Sequence, residues 1–453
     1  MDGCKRVVFG SPIDLSSLKS VVLRRMPGLF EKGLPKLANL KFGYGREQTY
    51  LWQSETRLLQ DISSLKRLQI SGCPQIFSLV TEEVHDQQQP ELQSRLELSH
   101  CEDLTKLPQA LLTLTALREM RIDGCASLVS FSQASLPSQL RKIIISSCGV
   151  VESLPEAWRH NSDSSLQILN IRLCGSLVSF PEVALPSQLR AVRFIECKAL
   201  ESLPKAWMQN SNTSLESLKF KRCDSLTYIA RIQLSPSLKR LIIKRCPNLR
   251  TLTMKQDISR SSSGSTSRTP FSSENELPAT LEHLEVTHCS NLAFLSWNGN
   301  LPRALKYLYV KDCSKLESLA ESLVSFPEDG FPTNLQSLVV DDLKISKPLF
   351  EWGLDRFACL RELRIRGGCP DLVSSPWFPA SLTQLGISDM PTLKCLSSVG
   401  ENLTSLETLD LSNCPKLKYF SKQGLPKSLL RLDLFLKKTD PVVPVDARLQ
   451  FVN

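Results

Sequence analysis

The chain has 453 residues, of which 42% are hydrophobic and 22% are charged, and its formal net charge at pH 7 is +9. This composition excludes a wholly disordered polymer, and the net charge is too modest for this length to indicate a dedicated nucleic-acid-binding domain. No run of 18 apolar residues occurs and no signal-peptide pattern opens the sequence, so we expect a cytoplasmic or nuclear protein without a membrane segment.

In chain order, a short N-terminal segment (residues 1–14) precedes a repeated pattern that extends over residues 15–436. Each copy follows L-x-x-φ-x-φ-x-x-C-x-x-L-x-x-φ, where φ is apolar. Clear copies begin at Leu65, Leu117, Leu140, Leu166, Leu189, Leu215, Leu238, Leu281, Leu305 and Leu406. Degenerate copies begin near Gln93, Leu335, Leu360 and Leu382, irregular early ones at Leu18 and Leu37, and a terminal one at Leu429.

Successive copies between Leu117 and Leu238 start at alternating intervals of 23 and 26 residues, the period of leucine-rich repeats. The alternation within L-x-x-φ-x-φ predicts one short strand per copy, with apolar side chains on one side and polar side chains on the other. Stacked copies predict an α/β solenoid: an arc with a parallel β-sheet on its concave face and irregular turns or short helices on its convex face.

Proline stands three residues before the first leucine in seven copies, where it suits a turn that leads into a strand. These residues are Pro137, Pro186, Pro278, Pro302, Pro332, Pro379 and Pro426. Two longer copies contain LPEAW and LPKAW, which predict a helical turn that places Trp158 and Trp207 on the convex face, either as cover or as exposed contacts for another domain. Two polar insertions interrupt the array, one at His85–Pro90 and a Ser-rich one at about residues 256–276. Residues 437–453 form a C-terminal tail.

Most of the 15 cysteines share the single position marked C in the pattern. We expect these thiols to be buried and unpaired, because free cysteine packs as a small apolar side chain. The pairs His100-Cys101 and His288-Cys289 do not indicate a metal site, because zinc needs four converging ligands and both cysteines are repeat residues. We therefore predict no metal, no cofactor and no catalytic group.

Charged side chains cluster on the predicted solvent side of four successive strands, which makes this surface a candidate protein-binding site. They are Arg172, Arg193, Lys219, Lys221, Arg240 and Lys244. Later strands place Tyr307, Tyr309, Arg364 and Arg366 at equivalent positions, together with the acidic residues Asp341, Asp410 and Asp433. The row of cations is either a solvated sheet face or a surface for an acidic protein; nucleic acid is disfavoured because few aromatic side chains accompany the cations.

The LPSQL starts at Leu136 and Leu185 and the core pattern S-L-x-x-L-x-I-x-x-C, as at residues 64–73, resemble the C-terminal repeats of plant nucleotide-binding leucine-rich-repeat disease-resistance proteins, particularly the coiled-coil subclass. The resemblance extends from about Leu15 to Leu434. It implies the recognition domain of an intracellular immune receptor, whose partner is a pathogen effector, a guarded host protein, or a nucleotide-binding switch domain in cis or in trans.

One feature of that family is missing from the sequence: no G-x-x-x-x-G-K-[ST] motif occurs, and the pair Gly43 and Gly45 lacks the lysine that phosphate binding needs. We therefore expect no bound nucleotide, and we interpret the chain as a fragment or a truncated relative of such a receptor.

Two other classes of protein carry similar repeats. A substrate-recruiting adaptor of the ubiquitin system is the alternative function, although such adaptors usually have longer convex helices and an F-box. Extracellular receptors usually carry asparagine in place of the repeated cysteine, paired-cysteine caps and a signal peptide. In each of these classes the chain would act as a binding protein and not as an enzyme.

Overall fold

The computed structural model describes residues 20–24, 38–44, 49–54, 65–82, 95–107, 116–128, 137–148, 164–180, 182–209, 214–231, 233–253, 277–293, 295, 301–316, 332–341, 354–367, 378–396, 403–417, 419–420 and 425–435. The chain divides into two compact units, Met1–Leu226 and Thr227–Asn453. The N-terminal segment, both polar insertions, the C-terminal tail and Trp158 lie outside the described residues, so the boundaries assigned to them from the sequence stay predictions.

The first unit contains eleven strands in its described part, nine of them in one parallel sheet. The strands are β1 (Ser20–Arg24), β2 (Asn39–Gly43), β3 (Trp52–Ser54), β4 (Arg67–Ser71), β5 (Val80–Glu82), β6 (Arg95–Ser99), β7 (Glu119–Asp123), β8 (Lys142–Ser146), β9 (Ile168–Arg172), β10 (Ala191–Ile195) and β11 (Ser217–Lys221). The sheet order follows the chain, β1-β2-β4-β6-β7-β8-β9-β10-β11. β3 and β5 form a separate parallel pair.

The second unit repeats this architecture. Its strands are β12 (Arg240–Lys244), β13 (His283–Thr287), β14 (Tyr307–Lys311), β15 (Ser337–Val340), β16 (Glu362–Arg366), β17 (Gln384–Ser388), β18 (Cys395–Leu396), β19 (Thr408–Ser412), β20 (Tyr419–Phe420) and β21 (Arg431–Phe435). The sheet order is β12-β13-β14-β15-β16-β17-β19-β21, all parallel, and β18 pairs with β20. The predicted fold class, a leucine-rich-repeat solenoid, is confirmed.

The core of each unit lies on the inward side of its sheet. In β11, Leu218 and Phe220 are fully buried, whereas Ser217, Lys219 and Lys221 remain partly exposed. Each fully buried side chain of this size contributes about 1.5–3 kcal/mol. Within each unit the described strands stack their buried side chains on those of the next strand, so the sheet and its core form together.

Strands end at a residue in the left-handed conformation, which lies directly before the repeated cysteine. Leu173 (φ 52°) precedes Cys174, and Glu196 (φ 59°) precedes Cys197. The backbone N–H of Leu173 donates to the carbonyl of Ile195 at 2.9 Å, so the ladder continues one residue beyond the strand. This residue turns the chain away from the sheet, and the thiol then points into the core.

The seven predicted proline turns are all present. In each, the carbonyl of the proline accepts a hydrogen bond from the backbone N–H of the leucine three residues later, as from Leu140 to Pro137 at 3.0 Å and from Leu189 to Pro186 at 3.0 Å. Proline fixes its own φ and needs no partner for a missing N–H, so it closes a tight turn at the start of each of these copies.

Regular helix is sparse in the described part of the chain: one α-helix, α1 (Ala206–Gln209), and one 3-10 turn, Leu354–Arg356. Helix α1 confirms the helical turn predicted from LPKAW. Trp207 is fully buried, with its ring 4.8 Å from that of Phe180 and 6.4 Å from that of Phe194. The alternative of an exposed contact at Trp207 is therefore wrong, because the indole fills the space between two phenylalanine rings.

Candidate functional site

We call the side of each strand opposite the core the sheet face. The candidate residues of the first unit lie on this face, at the outward positions of their strands. Arg172 ends β9, Arg193 is the middle residue of β10, and Lys219 and Lys221 lie on β11. We call these four residues the basic patch. Parallel register puts Arg193 directly beside Lys219 and Ile195 beside Lys221.

Three of the four residues of the basic patch have no acidic partner among the described residues. Arg172 Nε donates to Asn170 Oδ1 at 3.1 Å, which leaves its charge without a carboxylate. Among the residues that the structure describes, Arg193 and Lys221 have no acidic partner. Like charges on neighbouring strands destabilise a sheet, so the patch carries an electrostatic cost in the isolated unit.

Earlier strands of the same unit show the opposite arrangement. Glu97, in the middle of β6, has a side chain only 11% exposed, and its carboxylate lies 2.8 Å from Arg67, 3.4 Å from Arg95 and 3.9 Å from Arg121. Lys142 pairs with Glu119 at 3.2 Å. The first strands thus compensate their cations, whereas Arg172, Arg193 and Lys221 have no carboxylate partner in the described part of the chain.

In the second unit, Arg240 and Lys244 also lie on the sheet face, but Lys244 is not a free cation. Its Nζ lies 2.6 Å from Oε1 of Glu285 in β13. The sequence pattern showed the row of cations but not this acid, because Glu285 belongs to the copy that follows the long insertion. The expectation that Lys244 presents an open positive charge is therefore corrected.

Tyr307 and Tyr309 flank His283, with ring centroids 5.6 and 5.7 Å away. Burial lowers the pKa of His283, and the positive charge of Arg240 lowers it further. The hydroxyl oxygens of Tyr309 and Ser337 lie 3.1 Å apart, and Ser337 Oγ donates to Glu362 Oε2 at 2.6 Å. Burial raises the pKa of Tyr309. The two tyrosines thus belong to a hydrogen-bonded aromatic cluster.

Arg364 and Arg366 lie on the sheet face of β16, as predicted, and both are engaged by acids. Arg364 Nε donates to Glu362 Oε1 at 2.9 Å. Arg366 donates to Asp389, which raises the pKa of its guanidinium, and it also lies 3.7 Å from Asp341. Neither arginine therefore offers an uncompensated charge to an acidic partner.

A cavity of about 390 Å³ opens on the sheet face beside these arginines. Val339, Arg364, Gly386, Asp410, Ser412 and Phe435 are among the residues that line it. The repeat pattern did not indicate this cavity. The signal that could have indicated it is Gly386 of β17, at a position where neighbouring strands carry side chains.

The repeated cysteines are buried free thiols, as predicted, and they also form weak hydrogen bonds. Cys148 Sγ donates to the carbonyl of Ser146 at 2.9 Å, and Cys174 Sγ donates to that of Arg172 at 3.2 Å. A hydrogen bond with Cys101 raises the pKa of Cys125 to about 12, and burial raises that of Cys174 to about 11. The raised pKa values disfavour the reactive thiolate form of Cys125 and Cys174, which fits a structural role for these two thiols.

The described residues contain no group of three or more His, Cys, Asp or Glu side chains placed to hold a metal ion. They also contain no helix long and apolar enough to cross a membrane.

No protein-family profile matches the chain. Over 108 residues, 23% of its length, it is 38% identical to a candidate disease resistance protein of Arabidopsis thaliana, and this match spans 8% of that relative. The solved structure of YopM from Yersinia enterocolitica aligns over 92% of both chains, with 18% identity and a TM-score of 0.33. A leucine-rich-repeat protein of Leptospira interrogans aligns over 74% of this chain and 79% of its own, with 18% identity and a TM-score of 0.38.

Proposed function

We propose that this chain is the protein-recognition region of an intracellular plant immune receptor and that its basic patch contacts an acidic surface on the partner. The observation that carries the proposal is that Arg172, Arg193 and Lys221 lie on three neighbouring strands and have no acidic partner among the described residues. An arrangement that costs energy in the isolated unit is compensated when an oppositely charged surface covers it. Polar sheets of leucine-rich-repeat solenoids are extended binding surfaces in general.

The plant-defence part of the proposal is supported by the 38% identity to the Arabidopsis relative and by the style of the repeats. The partner is a pathogen effector, a guarded host protein or the nucleotide-binding switch domain of the receptor itself. These three share one requirement, which is an acidic surface complementary to the basic patch. Enzymatic activity is not part of the proposal.

The test compares wild type with the double variant Arg193→Glu, Lys221→Glu. Both side chains are outside the core and without an acidic partner among the described residues, so the fold should be retained. Lys244, in the second unit, is left unchanged, because its reversal would place a second carboxylate against Glu285. A matched control, Arg190→Glu with Lys198→Glu, makes the same change of net charge at two exposed residues outside the strands.

Each form is used to capture proteins from leaf extract at physiological salt, and the captured proteins are quantified by mass spectrometry. We expect a protein that wild type and control retain and that the double variant loses by about 10-fold, because charge reversal slows electrostatically steered association. Its association rate with wild type should fall steeply with ionic strength. If no protein distinguishes the double variant from the control, the basic patch is only a solvated face.

A further inference from the structure

The cavity on the sheet face of the second unit results from one missing side chain. In register across four strands, the middle outward positions are Val339, Arg364, Gly386 and Asp410. A Cβ placed on Gly386 would lie 3.1 Å from Cγ of Arg364, so even alanine would push on the arginine stem. Glycine in a strand interior is less stable than alanine, and here it keeps a hollow open.

We call the space over Gly386 the Gly386 hollow. Some of the charged side chains around it have partners of opposite charge, and one does not. Arg364 is held by Glu362, and Arg366 by Asp389 and Asp341. Asp410, next to Gly386 in register, has no hydrogen-bond or ion-pair partner in the described part of the chain. It is half-buried, and the hydroxyls of Ser388 and Ser412 lie at the next outward positions of the same two strands.

A third cation, besides Arg364 and Arg366, lines the cavity at its other end. Lys311 is on β14, four strands from Asp410, which corresponds to about 19 Å at the usual strand spacing. It therefore cannot neutralise Asp410. Phe435, 65% exposed, supplies an apolar wall on the side of Asp410. The end of the hollow at Gly386 thus combines an uncompensated carboxylate, hydroxyl groups and apolar surface.

We propose that the Gly386 hollow receives a basic side chain, lysine or arginine, from a protein partner. The apolar stem of that side chain lies over Gly386, between the methylenes of Arg364 and the ring of Phe435, and its cationic head donates to Asp410 and Ser412. A cavity of about 390 Å³ has room for such a side chain. This inference rests on the proposed function in protein recognition, and it adds that the partner carries a basic residue.

The experiment uses the full chain and two small probes, N-acetyl-arginine amide and N-acetyl-citrulline amide, which have nearly the same shape but differ in charge. Binding is followed by amide chemical shifts of residues 384–388 and 408–412. We expect saturable binding of the arginine probe with a Kd of about 1–10 mM, as befits a single side chain. The citrulline probe should bind at least about 5-fold more weakly, because it cannot form charge-assisted hydrogen bonds.

Two variants test the two parts of the hollow. Asp410→Asn keeps the shape and should weaken the arginine probe at least about 5-fold. Gly386→Ala fills the space and should weaken both probes, with thermal unfolding measured to confirm that the variant is folded. The control is Asp433→Asn on the next strand, whose carboxylate is already held by Arg431 at 2.7 Å, and it should bind like wild type.

Equal binding of the two probes, or equal loss in Asp410→Asn and Asp433→Asn, overturns the proposal, as does the absence of saturation at these amides. The double variant Arg193→Glu, Lys221→Glu separates this result from the proposed function, because it should leave probe binding unchanged. If a partner depends on the basic patch but the probes do not bind, only the inference about the Gly386 hollow is wrong. If the arginine probe binds but no protein depends on the basic patch, only the proposed role of the basic patch is wrong.

Discussion

Phe194 and Phe220 occupy the same inward position of neighbouring strands, and their rings stack with centroids 5.5 Å apart at an angle of 14°. Both are fully buried. Phe220→Ala should lower the free energy of unfolding of the first unit by about 3–5 kcal/mol, because it removes a ring and leaves a cavity between two copies. Urea denaturation followed by circular dichroism measures the loss. Lys219→Ala, on the same strand but facing solvent, should change stability by less than about 0.5 kcal/mol; similar losses in both variants would contradict the assigned register.

Leu173 adopts a left-handed backbone conformation that costs a residue with a Cβ about 1–2 kcal/mol. Its side chain is 53% exposed, so little packing is lost on truncation. Leu173→Gly should therefore raise the free energy of unfolding by about 1 kcal/mol. Val178→Gly is the matched control, another exposed aliphatic residue but without a positive φ, and it should destabilise by about 0.5–1 kcal/mol. Changes of the same sign would show that the strain is not released.

The raised pKa values of Cys125 and Cys174, about 12 and 11, keep both thiols protonated at pH 8. Since the thiolate is the reactive form, alkylation of these residues in the folded protein should be at least about 100-fold slower than in denaturant. Cys359 is exposed and should react at similar rates in both conditions. Peptide mass spectrometry after timed labelling reports each residue separately. Rapid labelling of Cys125 in the native protein would show that its position in the core is accessible.

Burial and the charge of Arg240 both lower the pKa of His283, so protonation is less favourable in the folded state than in the unfolded state. The stabilising contribution of the neutral ring is complete above about pH 6.5, the unfolded value, and is lost as the pH falls towards the lower folded value. Arg240→Gln should raise the His283 pKa measured by NMR titration of the ring protons. Arg431→Gln, six strands from His283, should not shift it, because salt screens charges beyond about 8 Å. Equal shifts would exclude Arg240 as a cause.

The sequence was sufficient to place most strands and their outward residues because apolar and polar positions alternate along the strand in most copies, as in β11 and β19. Arg193 and Lys219 could be assigned to adjacent strands from the spacing of Leu189 and Leu215 alone. The partners of the cations could not be assigned in this way. Asp389, which binds Arg366, is the residue in the left-handed conformation that follows β17. Different copies carry different residue types at this position. Side-chain direction at such a turn depends on tertiary geometry that the repeat pattern does not encode.

The proline turns allow the copies that begin with them to be exchanged, lost or duplicated as units by recombination between genes. The turn that starts such a copy is closed within four residues, from Pro137 to Leu140 or from Pro186 to Leu189, by a hydrogen bond between its own ends. The pentapeptide LPSQL occurs identically at residues 136–140 and 185–189. Recombination between the two stretches that encode it would delete or duplicate the intervening copies and restore the same turn at the junction. The array of strands can therefore gain or lose whole copies while each junction keeps the same turn.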